Sequence, residues 1–406
     1  MNEGGGDNGG ESGPAAGYFA WGDGRPRVLQ VVPSLEHTGG GVERSTLDIA
    51  HSLAECGATP LIASAGGRRV FELERIGAPH LEMPLASKNP FVIRANAGRL
   101  ARVIKRHGVD LVHARSRAPA WSAYMAARRT GTPFVTTFHG TYNFSGPVKR
   151  RYNSIMARGE RVIANSRFIA HHMAANYGVE SARIRVIPRG IDTEIFNPDR
   201  VSAERVIQLA QRWRLPDGVP VVMLAGRLTR WKGHALLIDA LSRLGNVNLV
   251  CLFVGGDQGR ERYSAELEEL VHRAMLESVV QFCDHFDDMP AAYMLADVVV
   301  SASTDPEAFG RVVAEAQAMG RPVVISDHGG TREQIIGGET GWTFASGDAA
   351  ALAQALEVAL ELDGTGRQRL AEAAIAHVRA HFTKQAMCNA TLSVYNEVLV
   401  AAGGTA

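Results

Sequence analysis

Long apolar runs are missing from this 406-residue chain. Its most apolar stretches, such as 219–225 and 247–254, have the length of a strand. A spanning helix needs about 20 such residues, so a membrane-crossing protein is not expected. Cysteine is scarce: Cys56, Cys251, Cys283 and Cys388 stand far apart with no Cys-x-x-Cys pair. That spacing argues against a disulfide framework and a zinc site, and suits a reducing compartment. Met1 is followed by Asn, Glu and a Gly run rather than a basic, then apolar, leader, so the expected location is cytoplasmic. No Asp-x-Asp triplet occurs anywhere. A Gly-x-Gly-x-x-Gly match does occur, at Gly4, Gly6 and Gly9. It has no strand before it and no helix after it, so it does not mark an NAD-linked oxidoreductase.

What is present is an ordinary globular balance, 46% apolar and 21% charged, in a chain long enough for more than one core. The net charge of +1 conceals a division. Residues 1–200 carry 26 Lys/Arg against 17 Asp/Glu, a net +9, and the remainder carries 17 against 25, a net −8. The window 88–161 holds 15 basic residues and two acidic ones, Asp110 and Glu160, a field that attracts anionic partners or stays a solvated basic face. Within it, Ile93, Ala97, Leu100 and Ile104 recur at helical spacing while Arg94, Arg102, Lys105 and Arg106 cover the other side. Such a helix packs on a sheet, or meets a membrane surface or an anionic acceptor.

Residues 1–25 are Gly-rich and read as a disordered tail. Short apolar runs then alternate with helical patterns, which predicts βαβ units and parallel sheets. The first series has strands at 28–32, 59–62, 111–113, 134–137, 161–164 and 185–187. Pro188, Gly190 and Pro198 break the pattern, and it restarts with strands at 220–225, 247–254, 279–283, 298–301, 322–325 and 342–344. The expected domains are 26–195 and 196–383, with a last helix, 384–406, crossing back to brace the first.

In an open α/β sheet, ligands bind beyond the carboxyl ends of the strands. Three loops there carry chemistry. Gly39-Gly-Gly-Val-Glu43 follows the first strand, where glycines and a helix N-terminus admit an anion. Gly226-Arg-Leu-Thr-Arg-Trp-Lys-Gly233 follows the first strand of the second series and offers Arg227 and Lys232 as two cations for a diphosphate. Glu307-Ala-Phe-Gly-Arg-Val-Val-Ala-Glu315 places one carboxylate at a loop tip and another inside the next helix, both suited to sugar hydroxyls. Each has a plainer reading: a tight turn, two solvated charges, an acidic residue favoured near a helix start.

These motifs, together with Pro188-Arg-Gly-Ile-Asp192, Gly320-Arg-Pro-Val-Val324 and Gly329-Gly330 with Glu333, resemble the family 4 retaining glycosyltransferases (glycosyl transferases group 1). They run in the family's order over residues 28–385. The resemblance implies a GT-B fold: two facing Rossmann-like domains with parallel sheets and a cleft between them. It implies transfer of a hexose from a UDP- or GDP-sugar to an anionic glycan or glycolipid, as in lipopolysaccharide or other cell-envelope glycan assembly. Arg227 and Lys232 would clamp the diphosphate, Glu307 would contact the sugar and Glu315 the ribose. Gly40 and Gly41 would approach the phosphates, and the backbone at Phe309, Gly310, Arg311 and Val312 would help hold them. His139, in Thr136-Thr-Phe-His-Gly140, is similar to the family's first-domain histidine near the reacting sugar. No cofactor and no metal are implied, and no nucleic acid; a peripheral contact of the 88–161 region with the cytosolic membrane face is compatible with the charge. Arg189 departs from the family by standing where Pro-Asn-Gly has its Asn. A GT-B sugar-nucleotide epimerase, a phosphorylase or a non-catalytic binder of anionic glycans or lipids would share the architecture.

Overall fold

A computed structural model describes residues 19–21, 24–36, 41–142, 146–245 and 248–403. Gly40 and most of the N-terminal tail lie outside the described residues. By contact density the chain divides into two compact units, 1–135 with 388–406, and 136–387.

Strands β1 (Arg27–Val31), β2 (Thr59–Ser64), β3 (His80–Glu82), β4 (Leu111–Ala114), β5 (Phe134–Phe138), β6 (Arg161–Ala164) and β7 (Ile184–Val186) form a seven-stranded sheet in the order β3-β2-β1-β4-β5-β6-β7. Strands β8 (Val221–Ala225), β9 (Val250–Val254), β10 (Val280–Cys283), β11 (Val298–Ser301), β12 (Val323–Ser326) and β13 (Trp342–Phe344) form a second, ordered β10-β9-β8-β11-β12-β13. The β1–β2, β1–β4, β8–β9 and β8–β11 pairings are parallel. Counted from its own first strand, the second sheet runs 3-2-1-4-5-6, the doubly wound order, the first runs the same with a seventh strand added, and each reverses beside its first strand.

The central strands are buried on both faces, which is why they read as continuous apolar runs rather than alternating ones. Val28, Leu29 and Val31 of β1 and Val222, Met223 and Leu224 of β8 are at most 1% exposed, so no charged residue fits there. The basic helix Pro90–His107 buries Ala97, Leu100 and Ile104 and exposes Arg94, Arg102, Lys105 and Arg106. The Asn89 side chain caps its start and Gly108 its end. Phe91, at its first turn, is 83% exposed. The final helix, Lys384–Ala401, returns to the first unit, where the Tyr395 hydroxyl lies 2.6 Å from His113 Nδ1 and both side chains are fully buried. No helix among the described residues is long and apolar enough to cross a membrane.

Candidate active site

The second sheet reverses between β8 and β11, and the loops leaving those two strands meet. After β8 the chain makes a tight turn at Arg230–Lys232, then starts the helix His234–Arg243 from Gly233. Gly233 has φ +81° and sits so close to the next loop that a Cβ would lie 1.8 Å from the Ala302 carbonyl oxygen. Only glycine closes that turn. The turn aims Lys232 back across Gly226 and onto the β11 loop, where its Nζ donates to Glu307 Oε1 at 2.7 Å.

Glu307 is enclosed: its side chain is 11% exposed and that of Lys232 14%. Ser303 Oγ donates to the same carboxylate oxygen at 2.6 Å. Burial works against the charged carboxylate; the Lys232 ammonium, the Ser303 hydroxyl and the charge of His328 outweigh it and hold Glu307 below the ordinary carboxylate range. His328 Nε2 donates to the Ser303 carbonyl at 2.7 Å, and Gly330 N donates to the Glu307 carbonyl at 2.7 Å. The segment after β12 thereby props the loop that carries Glu307. Gln334 also donates to the Phe309 carbonyl.

Gly310 precedes the helix Arg311–Ala318. Within the helix, Glu315 Oε1 pairs with Arg311 Nη2 at 2.7 Å, and Oε2 accepts from the buried Tyr293 hydroxyl at 3.1 Å. Phe309 turns its ring into a core with Ile191, Val378 and Phe382, leaving only its backbone for a ligand. Arg227 is the outlying member. It is exposed, and among the described residues no hydrogen bond or ion pair holds its guanidinium. The two cations expected to act alike therefore stand under different conditions, one sealed against a carboxylate and one open to solvent.

His139 follows β5 and is held by other neighbours. Arg189 Nη2 is 2.8 Å from its Nδ1, and its backbone N–H donates to the Tyr142 hydroxyl at 3.3 Å. Gly41 opens the helix Gly41–Glu55, where its carbonyl accepts from Ser45 Oγ at 2.9 Å. Val312 lies in the first turn of its helix, half-buried. Tyr293, Ser303 and His328 escaped the reading of motifs. Ser303 and His328 lie just past the ends of β11 and β12, where the strand-end rule points. Tyr293 gave no signal, because a Tyr on a short apolar helix reads as core. Among the described residues no group of three or more His, Cys, Asp or Glu side chains is placed to hold a metal ion.

Residues 39–195 match the family model described as Glycosyltransferase Family 4, and residues 207–377 match that of Glycosyl transferases group 1. A D-inositol 3-phosphate glycosyltransferase of Xylanimonas cellulosilytica is 30% identical over 390 residues, 88% of this chain and 91% of the relative. The chain is a family 4 glycosyltransferase. The fold of this glycosyltransferase is GT-B, as in a solved glycosyltransferase from Rickettsia africae with TM-score 0.85 and 39% identity, covering 92% of this chain and 99% of that one. HepE of Anabaena, solved in complex with UDP-glucose, aligns at TM-score 0.78 and 25% identity, covering 91% of this chain and 99% of its own.

Proposed function

We propose that this glycosyltransferase moves a hexose, with retention of anomeric configuration, from a nucleoside-diphosphate sugar to an acceptor bearing negative charge. Residues 26–195 serve as the acceptor domain and 196–383 as the donor domain in this reading. The observation that carries it is the Lys232–Glu307 pair at the reversal point of the second sheet, 2.7 Å apart and shielded from water. A diphosphate accepts from Lys232 and Arg227, and a sugar hydroxyl donates to Glu307. Glu315 receives the ribose, and the amides following Gly310 lie at a helix start suited to phosphate. The UDP-glucose bound by HepE supports a uridine-linked donor.

In the chemistry, the bond from the anomeric carbon to the diphosphate oxygen breaks as a bond to the acceptor oxygen forms on the same face. The leaving diphosphate takes the acceptor's proton and departs with it. Lys232 and Arg227 stabilise charge as it develops on that diphosphate, the term that preorganised cations supply best. This assigns no step to a metal ion, so turnover is expected to persist in a chelator. Two features support an anionic acceptor: the basic 88–161 stretch, and the inositol phosphate in the name of the Xylanimonas relative. A phosphorylated glycan or glycolipid of the cell envelope, lipopolysaccharide included, fits the same charge at the cytosolic membrane face.

The test is a panel of UDP- and GDP-sugars assayed by nucleoside-diphosphate release, with inositol phosphate or a phosphorylated lipid extract as acceptor, in EDTA. Acceptor-dependent release and a product of unchanged anomeric configuration are expected. Release that ignores every anionic acceptor, or epimerised free donor, overturns the reading.

A further inference from the structure

Arg189 is the residue by which this chain departs from its family's Pro-Asn-Gly motif, and it does not lie idle. It is 9% exposed, and its Nη2 sits 2.8 Å from His139 Nδ1. The loop that carries it is locked. A Cβ on Gly190 would stand 2.5 Å from Lys384 Cα, so the loop lies directly against the segment leading into the last helix. Ile191 N donates to the Phe382 carbonyl at 2.7 Å, Lys384 N donates to the Ile191 carbonyl at 2.8 Å, and Lys384 Nζ pairs with Asp192 at 2.6 Å. Gly190, Ile191 and Asp192 are thus pinned against Phe382 and Lys384 before the guanidinium reaches out.

A guanidinium has donors only and keeps its charge in proteins. In that contact Nδ1 of His139 has one role, acceptor. The imidazole is then neutral, with its proton on Nε2, because a proton on Nδ1 would trade a hydrogen bond for a contact between two cations. We propose that Arg189 is a positioning residue that fixes His139 as the Nε2–H tautomer. This rests on the reading of His139 as the residue that meets the reacting sugar. The ring is presented as a hydrogen-bond donor to sugar oxygen and is withheld from service as a base at Nε2. The asparagine of the family motif carries an amide with both donor and acceptor, and enforces neither the tautomer nor the charge in this way.

Two measurements test it. The first is independent of activity: two-bond 15N–1H NMR of the histidine-labelled full chain at pH 8, with His139 assigned by the signals lost in His139→Asn. The wild-type ring should show a protonated Nε2 and an acceptor-type Nδ1. Arg189→Met should move both nitrogens toward averaged values, and Arg189→Lys should restore the wild-type pattern in part. The second is kinetic. Arg189→Met should lower kcat by about 10–100-fold with little change in donor KM, the scale of a misoriented catalytic group. In the His139→Asn background it should cost nothing further.

A protonated Nδ1 in the wild type, ring signals unmoved in Arg189→Met, or an equal loss with and without His139 would each overturn the proposal. Should His139→Asn retain full transfer, the role of His139 itself fails, while the NMR arm still decides whether Arg189 sets the tautomer. If Arg189→Met does not fold, Arg189→Lys carries both measurements.

Discussion

Lys232, past the second sheet, and Arg115, past the first, are largely buried cations held in different ways. In the loops of the second sheet, two enclosed cations meet carboxylates: Lys232 with Glu307, Arg311 with Glu315. Beside the first sheet, Arg115 follows β4, 3% exposed, and its hydrogen-bond acceptors are neutral oxygens, among them the Ser45 hydroxyl at 2.7 Å, the Gln30 amide oxygen at 3.4 Å and the Tyr395 hydroxyl. Burial lowers its pKa, with Tyr395, Cys388 and Asp48 acting the other way. A cation matched to a carboxylate leaves a stranded charge when it is removed, whereas a cation held by neutral oxygens leaves none. The same substitution type should therefore have unlike consequences in the two places.

The largest effect belongs to Lys232→Ala. It should cut donor turnover by on the order of 10²–10³ or more. Leaving Glu307 buried without its cation should also cost about 3–5 kcal/mol of stability. Nucleoside-diphosphate release and urea unfolding measure the two, and wild-type stability would show that the pair is not sealed as described. Arg227→Ala sharpens the contrast within one loop. A rate loss of the same order, roughly 10²–10³, is expected with unfolding free energy unchanged. Near-normal turnover would remove Arg227 from the site.

The next effect is one of pH. His234, buried beside Lys232 and edge-on to Phe253, has its pKa lowered to about 4, by burial first and by the Lys232 charge second. The unfolded chain takes up that proton near pH 6.5 and the folded one only near 4. The stability involved is complete above about pH 6.5 and is lost as pH falls to about 4, roughly 3 kcal/mol in all. His113, buried beside Tyr395 in the first unit, has its pKa pushed down by burial and then by Arg115, and works in the same direction. His234→Leu should flatten the slope of stability between pH 6.5 and 4.5, and an unaltered slope would assign it elsewhere. The smallest effect is that of Arg115→Met. With no carboxylate left alone, its cost should stay near 1 kcal/mol by urea unfolding; a loss matching that of Lys232→Ala would erase the distinction between the two cations.

Much of this was legible beforehand, for identifiable reasons. Strands β6, β11 and β13 fall on the expected residues because buried parallel strands carry an unbroken apolar signal. β3 did not announce itself: three residues, His80–Glu82, at a sheet edge hold too little apolar periodicity. The helices Arg117–Thr130 and Arg167–Tyr177 escaped because small and polar residues blur their stripe. Glycine-bounded loops after β8 and β11 marked Lys232 and Glu307 as chemistry, yet their contact spans 75 residues and exists only because the strand order reverses there.

Residue types and their order along the chain determined the two βαβ series, the strand-end loops and the family. Which charges are joined was decided by the tertiary structure alone. Lys232 is shut against Glu307 while Arg227 stays open, Tyr293 closes over Glu315, and Arg189 meets a histidine 50 residues away. The physical reason is that spacing along a strand or helix sets local geometry, whereas a charge pair depends on distance through space and on the exclusion of water, and both arise only when distant loops are brought to one end of a sheet.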